Sequence, residues 1–293
     1  MRDEMDVLRR FNRAWSQRVG VLDESFLDSG RPLGPSRVLF EIGDAPGGAI
    51  GVRELRDRLG LDAGHLSRLL RRLEGDGLVT TTADPDDARR RIARLTAAGS
   101  RAWRDLEERS DRVAHDILAP LSGSSRARLA DALRTADALV RAATVRFAEV
   151  DAGQQQARAA MDAYFAELAE RFPAGFDPGP PADPAVYAPP NGRFFVAASD
   201  GVAIACGGIQ RLGDRVAEIK RMWVDPAWRG RGIATRLLTH LERTAAADGF
   251  DVVRLDTNPV LAEAIAMYRR AGYREIPRYN DNPYAGLWFE KAV

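Results

Sequence analysis

Val224-Asp-Pro-Ala-Trp-Arg-Gly-Arg-Gly-Ile-Ala-Thr-Arg-Leu-Leu238 is the stretch on which the reading of this chain turns. Before it, Val216 to Val224 alternates and is apolar enough for a strand, which Asp225-Pro226 stops. After it, Ile233, Leu237, Leu238 and Leu241 recur at helical spacing. Between the two lie arginines and glycines, a composition in which backbone N–H groups at a helix N-terminus close around an anion. The reading is a pyrophosphate seat; a solvated Arg/Gly turn is the plainer alternative. A dinucleotide site would need Gly-x-Gly-x-x-Gly early in a βαβ unit, with an acid about twenty residues on. Here Thr235 stands at the third glycine position, and the seat falls late in the sequence.

The totals set the frame. At 293 residues, two domains are expected. The net charge of +1 makes no global demand for nucleic acid, so a basic site must be local. A single cysteine, Cys206, excludes an internal disulfide and a clustered thiolate metal site, and no metal is expected. No apolar run is long enough to span a bilayer, and Met1-Arg-Asp-Glu-Met-Asp6 lacks a signal-peptide core. The expectation is a cytoplasmic protein with no membrane partner. Only Lys220 and Lys291 are lysines among 43 basic residues, a bias of the kind a GC-rich genome produces.

In the first half, Leu8, Phe11, Trp15, Val19 and Leu22 predict a one-sided helix, and Val38 to Ile42 a second, broken at Pro46-Gly-Gly48. Val52 to Leu59 is a short helix ended by Gly60. Asp62 then caps another, with Leu66, Leu69, Leu70 and Leu73 on one face and His65, Ser67, Arg68, Arg71 and Arg72 off it. Two helices joined by a turn, the second apolar behind and basic in front, read as helix-turn-helix. Val79 to Thr82 and Arg91 to Leu95 follow as strands around a charged tip that carries Arg89 and Arg90, which makes a wing. Between Arg53 and Arg104 twelve arginines face eight acids, and the excess falls on the helix front and the hairpin.

Asp62-Ala-Gly-His-Leu-Ser-Arg-Leu-Leu-Arg-Arg-Leu73, with Asp84-Pro-Asp-Asp-Ala-Arg89 and Leu95-Thr-Ala-Ala-Gly99, resembles the MarR family of winged-helix regulators over residues 1–142. The resemblance implies a homodimer built from first and last helices, with recognition helices in successive major grooves of a double-stranded operator and wings at the minor groove. It makes His65, Ser67, Arg68, Arg71, Arg72, Arg89 and Arg90 the DNA-binding candidates. Apolar stripes at Trp103, Leu106, Val113, Ile117 and at Leu129, Leu133, Ala136, Val140 exceed what a small wing domain needs for its own core. They suit a dimer; a flat intramolecular bundle is the alternative.

Residues 143–293 read as an α/β, mixed-sheet domain. Thr144 to Val150 is an expected strand, Met161 to Phe172 a helix, and Phe172 to Pro190 a proline-rich loop. Arg193 to Ala198 and Val202 to Cys206 flank the hairpin signal Asp200-Gly201. Cys206 reads as a buried strand residue, since no partner base for a catalytic thiol is in evidence. Val252 to Asn258 is a strand, Leu261 to Ala271 a helix and Leu287 to Lys291 a closing strand.

Arg229-Gly-Arg-Gly-Ile-Ala234 fits Arg/Gln-x-x-Gly-x-Gly/Ala, and with Ala264-Ile-Ala-Met-Tyr-Arg-Arg-Ala-Gly-Tyr273 it resembles the GNAT N-acetyltransferases. The resemblance implies acetyl-CoA as co-substrate, held by Met222, Trp223, Val224, Arg229, Gly230, Arg231, Gly232, Ile233, Ala234 and Asn258. A lysine-like amine has a pKa near ~10.4, so roughly a few molecules in ten thousand are neutral at pH 7. Acyl transfer therefore needs a base for the amine and an acid for the leaving thiolate. By resemblance Glu218 is the base and Tyr268 the acid; a strand-face salt bridge and core packing are the respective alternatives. Loops 171–177 and 279–284 are expected around the acceptor. Asp177 and Asp281 would suit a cationic amine, or they are turn residues; Arg221 or Arg254 could hold a carboxylate. The function expected is a DNA-binding regulator fused to an acetyl-CoA-dependent N-acetyltransferase for an amine acceptor, more a small molecule than a protein. The competing readings are a regulator that senses acyl-CoA or a small ligand without turnover, and an enzyme whose first domain only dimerises it.

Overall fold

The computed structural model describes residues 1–21, 23–85, 87, 89–173, 175–180, 183–199 and 201–293. Leu22 of the first apolar stripe, Asp86 and Ala88 of the wing motif and Asp200 of the hairpin signal lie outside the described residues. The chain divides into two compact units, Met1–Ala130 and Asp131–Val293.

The first unit contains α1 (Arg2–Arg18), α2 (Leu33–Gly43), β1 (Ala49–Gly51), α3 (Val52–Leu59) and α4 (Ala63–Gly75). α4 starts where it does because the Asp62 carboxylate accepts the His65 N–H at 2.8 Å. Its Leu66, Leu70 and Leu73 share one buried core with Val38, Leu39 and Ile42 of α2 and Leu55 of α3. Each such burial stabilises the fold by roughly 1.5–3 kcal/mol. The hairpin β2 (Val79–Ala83) and β3 (Arg91–Leu95) is joined by β1 in the order β1-β3-β2. The Thr96 hydroxyl then caps α5 (Ala97–Leu118), accepting from the Gly99 N–H at 3.0 Å. α1 buries none of its residues; Leu8, Phe11 and Trp15 stay exposed, the last two rings stacked 6.0 Å apart. α6 (Gly123–Thr144) runs continuously through the division between the units.

The second unit is built on seven strands: β4 (Ala148–Glu149), β5 (Gly192–Ser199), β6 (Val202–Gly213), β7 (Val216–Val224), β8 (Val252–Thr257), β9 (Arg274–Ile276) and β10 (Leu287–Ala292). Their order is β4-β5-β6-β7-β8-β10-β9. All pairings are antiparallel except β7 with β8. That parallel pair requires a crossover, which α8 (Ile233–Ala247) supplies. Ile233, Leu237, Leu238 and Leu241 of α8 share a core with Ile219, Val253, Leu255 and Phe289. α7 (Gln155–Arg171) brings Ala157 and Ala160 into a second core with Phe194, Cys206 and Trp223. Both faces of the sheet are thus covered, and α9 (Ala262–Arg270) completes the unit.

One expected strand is corrected. Thr144 ends α6, and only Ala148 and Glu149 pair with β5. The reason is a long-range grip: the Arg236 guanidinium on α8 donates to the carbonyls of Ala142 and, at 2.6 Å, Val145. Ala142 and Val145 themselves are buried in the α8 core. These bonds satisfy carbonyls that a helix C-terminus leaves open, so the helix persists to Thr144.

Candidate active site and nucleic-acid interface

β7 and β8 pair at only three registers, Val216↔Val252, Ala217↔Val253 and Glu218↔Arg254, although each strand continues beyond them. Where they part, a cavity of about 480 Å³ opens, walled also by α7, α9 and the loops around Phe176 and Tyr284. A second irregularity shapes it. Between the pairs Cys206↔Trp223 and Gly208↔Lys220, two residues of β7, Arg221 and Met222, oppose Gly207 alone. This is a β-bulge, which re-aims side chains that strand alternation would have turned away. Arg221 adopts φ 57° to make it, and Lys220, Arg221 and Met222 all line the cavity.

The Arg/Gly loop delivers the helix N-terminus. Gly230 and Gly232 have φ 74° and 78°, and a Cβ at either would meet no atom within 4 Å. Backbone conformation, not space, is what calls for glycine there. The first intrahelical bond of α8 is Arg236 N–H to Gly232 carbonyl, so the N–H groups of Ile233, Ala234 and Thr235 have no intrahelical acceptor. The arginine side chains are turned elsewhere. Arg229 donates to the Val224 carbonyl at 2.9 Å and to Glu167, and Arg231 folds back onto the Ala227 carbonyl. Glu167 also accepts from Trp223 Nε1 at 2.9 Å and Arg171 at 3.2 Å. The backbone N–H groups at the start of α8 remain open to an anion.

Tyr268 of α9 is buried against Tyr273 and Phe289, with ring centroids at 5.8 and 6.1 Å, and it also lines the cavity. Burial first, and the Asp256 carboxylate second, raise its pKa above the ordinary tyrosine value. Glu218 is only 2% exposed and is absent from the cavity wall. Its Oε1 accepts from Tyr279 Oη at 2.7 Å and Asn280 Nδ2 at 3.0 Å and lies 2.9 Å from Lys220 Nζ. Its Oε2 accepts from Gln210 at 2.8 Å. The salt bridge considered from sequence is thus present. A sheet carboxylate that does line the cavity is Asp256 on β8, held by Lys220 at 3.0 Å and by Asn280 and Asn282 at 2.9 Å each. Burial pushes its pKa up, but Lys220 and the two amides together bring it below the usual carboxylate value.

The remaining candidates separate cleanly. Met222 and Asn258 line the cavity, and Asn258 is fixed by donating to the Tyr284 carbonyl at 2.8 Å. Trp223 and Val224 are buried in the two cores, so they present backbone rather than side chain. Asp177 lines the cavity, whereas Asp281 is fully exposed and paired with Arg278 at 3.0 Å. Arg254 is paired with Glu290 at 2.8 Å. Sequence reasoning missed Asp256, Gln210 and Glu167. Asp256 carried a signal, an acid among the apolar residues of a strand; Gln210 acquires meaning from Glu218 across the β6–β7 hairpin, and Glu167 from Trp223 and Arg229 far along the chain.

In the first unit, His65, Ser67, Arg68, Arg71 and Arg72 are all exposed on α4, opposite its buried leucines. Arg89 and Arg90 are exposed at the hairpin tip, where Asp87 accepts the Arg89 N–H at 3.0 Å and pairs with Arg90 at 3.3 Å. Arg91 and Arg94 are tied inward, to the Thr81 carbonyl at 3.2 Å and the Gly47 carbonyl at 3.4 Å. Among the described residues no group of side chains has metal-site composition, and no helix is long and apolar enough to cross a membrane.

Residues 161–273 match the acetyltransferase (GNAT) family and residues 29–90 the MarR family. The IAA acetyltransferase of Azospirillum brasilense is 36% identical over 110 residues, covering 36% of this chain and 71% of that protein. The N-alpha-acetyltransferase RimI of Mycobacterium tuberculosis is 36% identical over 115 residues, covering 38% of this chain and 71% of that protein. The chain belongs to the GNAT acetyltransferase family through its second unit and carries a MarR-family winged helix in its first. Among solved structures, the PcaV transcriptional regulator from Streptomyces coelicolor is similar at 27% identity, with a TM-score of 0.38, over 47% of this chain and 97% of that one.

Proposed function

We propose that the second unit transfers an acetyl group from acetyl-CoA to the amine of a small molecule, while the first binds a double-stranded DNA operator as a homodimer. The observation that carries the enzymatic reading is the cavity between the parted strands, bordered by Tyr268 and by both ends of the parting. The bare N–H groups at the start of α8 fit a pyrophosphate, because they add the helix dipole to unpaired donors. Gly230 to Ala234 would hold it, with Met222, the backbone of Trp223 and Val224, and Asn258 along the cleft.

Acetyl-CoA, when bound, supplies a thioester whose cleavage leaves a thiolate. Tyr268 holds a proton at Oη for that sulfur, and its raised pKa keeps the hydroxyl protonated at neutral pH. The proton that the acceptor ammonium must lose passes to the Glu218–Lys220–Asp256 cluster, which reaches the cavity through Lys220 and Asp256, and Asp177 attracts that ammonium to the cavity. The exposed basic front of α4 and Arg89 of the wing contact DNA, and the exposed α1 stripe joins two copies. Thiol release measured over a panel of amines tests the enzymatic reading, with acceptor-dependent release expected. Tight acetyl-CoA binding without thiol release from any acceptor would instead make this unit a ligand sensor.

A further inference from the structure

The cavity holds a cation that the transfer reaction as described does not use. Arg221 sits on the bulge with a left-handed backbone, φ 57°, a conformation that non-glycine residues seldom adopt. Its guanidinium lies over the Phe165 ring, 4.5 Å from the ring centre. It lines the cavity, where the Tyr187 hydroxyl accepts a hydrogen bond from it, and no carboxylate pairs with it among the described residues. The neighbouring cations differ. Lys220 is bridged between Glu218 and Asp256, Arg254 is bound to Glu290, and Arg229 to Glu167. A half-buried charge among aromatic walls is unfavourable unless something pairs with it, and a planar guanidinium matches a carboxylate in two parallel hydrogen bonds.

We propose that Arg221 receives a carboxylate of the acceptor, so that the acceptor is a free amino acid with an apolar, preferably aromatic, side chain. The inference rests on the acetyltransferase reading for where the amine goes, but the carboxylate site stands on Arg221 itself. The aromatic preference follows from Phe172, Phe176 and Tyr284, whose rings pack at 4.8–5.9 Å on the same wall. Tyr284 ties that wall together by accepting the Asp177 N–H at 2.9 Å.

The test compares L-phenylalanine with its carboxamide and with phenethylamine, by thiol release and by calorimetric binding in the presence of CoA. The carboxamide is the stringent control, because its amine is the more readily deprotonated and would otherwise react faster. We expect the free amino acid to exceed the carboxamide by at least tenfold in kcat/KM and in affinity. Arg221→Met should collapse that ratio towards one and Arg221→Lys should retain part of it, both with an unchanged thermal midpoint as the check on folding. Carboxylate-dependent, Arg221-dependent binding without thiol release would leave this site standing and remove the enzymatic reading. Turnover of all three with no preference for the carboxylate, or no effect of Arg221→Met on the ratio, would overturn the carboxylate site and leave the enzyme. Failure of the amino acid to bind at all would overturn it too.

Discussion

At the scale of single residues, burial decides which groups can exchange protons. Tyr268 is held neutral by burial and by the nearby Asp256 carboxylate. Tyr268→Phe keeps the ring packing and removes the proton, so kcat should fall roughly 10²–10⁴-fold with little change in the acetyl-CoA KM. Wild-type kcat in that variant would free Tyr268 of any role in thiolate protonation. Its raised pKa also fixes a sign: the stability of the neutral phenol is fully present below the ordinary tyrosine value and is lost only as pH climbs through the folded value. Asp256 runs the opposite way. Its folded pKa is depressed, so the ion pair with Lys220 stabilises the protein above the ordinary carboxylate range and ceases to do so as pH falls through the folded value. Asp256→Asn should therefore cost about 1–3 kcal/mol at pH 7, and the gap to wild type in urea melts should shrink as the pH approaches the acid range. A gap that stays constant down to pH 3 would show that the charge on Asp256 contributes nothing.

At the scale of elements, the recognition helix and the Arg/Gly loop were legible because each is local. Asp62 caps a run of thirteen helical residues that holds both the leucine spacing and the basic front, and the structure buries Leu66, Leu70 and Leu73, half-buries Leu69 and exposes the basic front. If α4 enters the major groove, Arg68→Ala should lose about 1–3 kcal/mol of operator affinity and relax specificity at one position per half-site. A salt-controlled shift assay showing equal affinity and equal discrimination would remove Arg68 from the interface. The bulge was not legible, because Arg221 and Met222 become an irregularity only when set against Gly207 on another strand. The Glu218–Lys220–Asp256 cluster was half legible: the first two alternate along β7, but the third comes from β8, thirty-six residues beyond Lys220. The strand expected at Thr144 failed for the same reason, since the residue that prolongs α6 is Arg236.

At the scale of the whole molecule, exposed apolar groups recur in both units. Leu8, Phe11 and Trp15 recur on one side of α1, and Leu133 and Val140 are exposed on α6. A second copy of the chain would cover such surface, and Trp15→Glu should then shift the mass measured by light scattering from dimer to monomer and weaken operator binding. An unchanged dimer would exclude the α1 stripe from the interface. α6 has a further consequence. The two compact units are divided at a point inside an unbroken helix, and the end of that helix, at Ala142, is part of the second unit's core. The backbone is helical throughout Gly123–Thr144, the segment that contains the division. Trypsin, offered Arg126, Arg128, Arg134 and Arg141 along α6, should cut first elsewhere, for example at the exposed Arg89 and Arg90 of the hairpin tip. Separating the halves at their division would cut α6 in two, so neither piece would carry that helix whole.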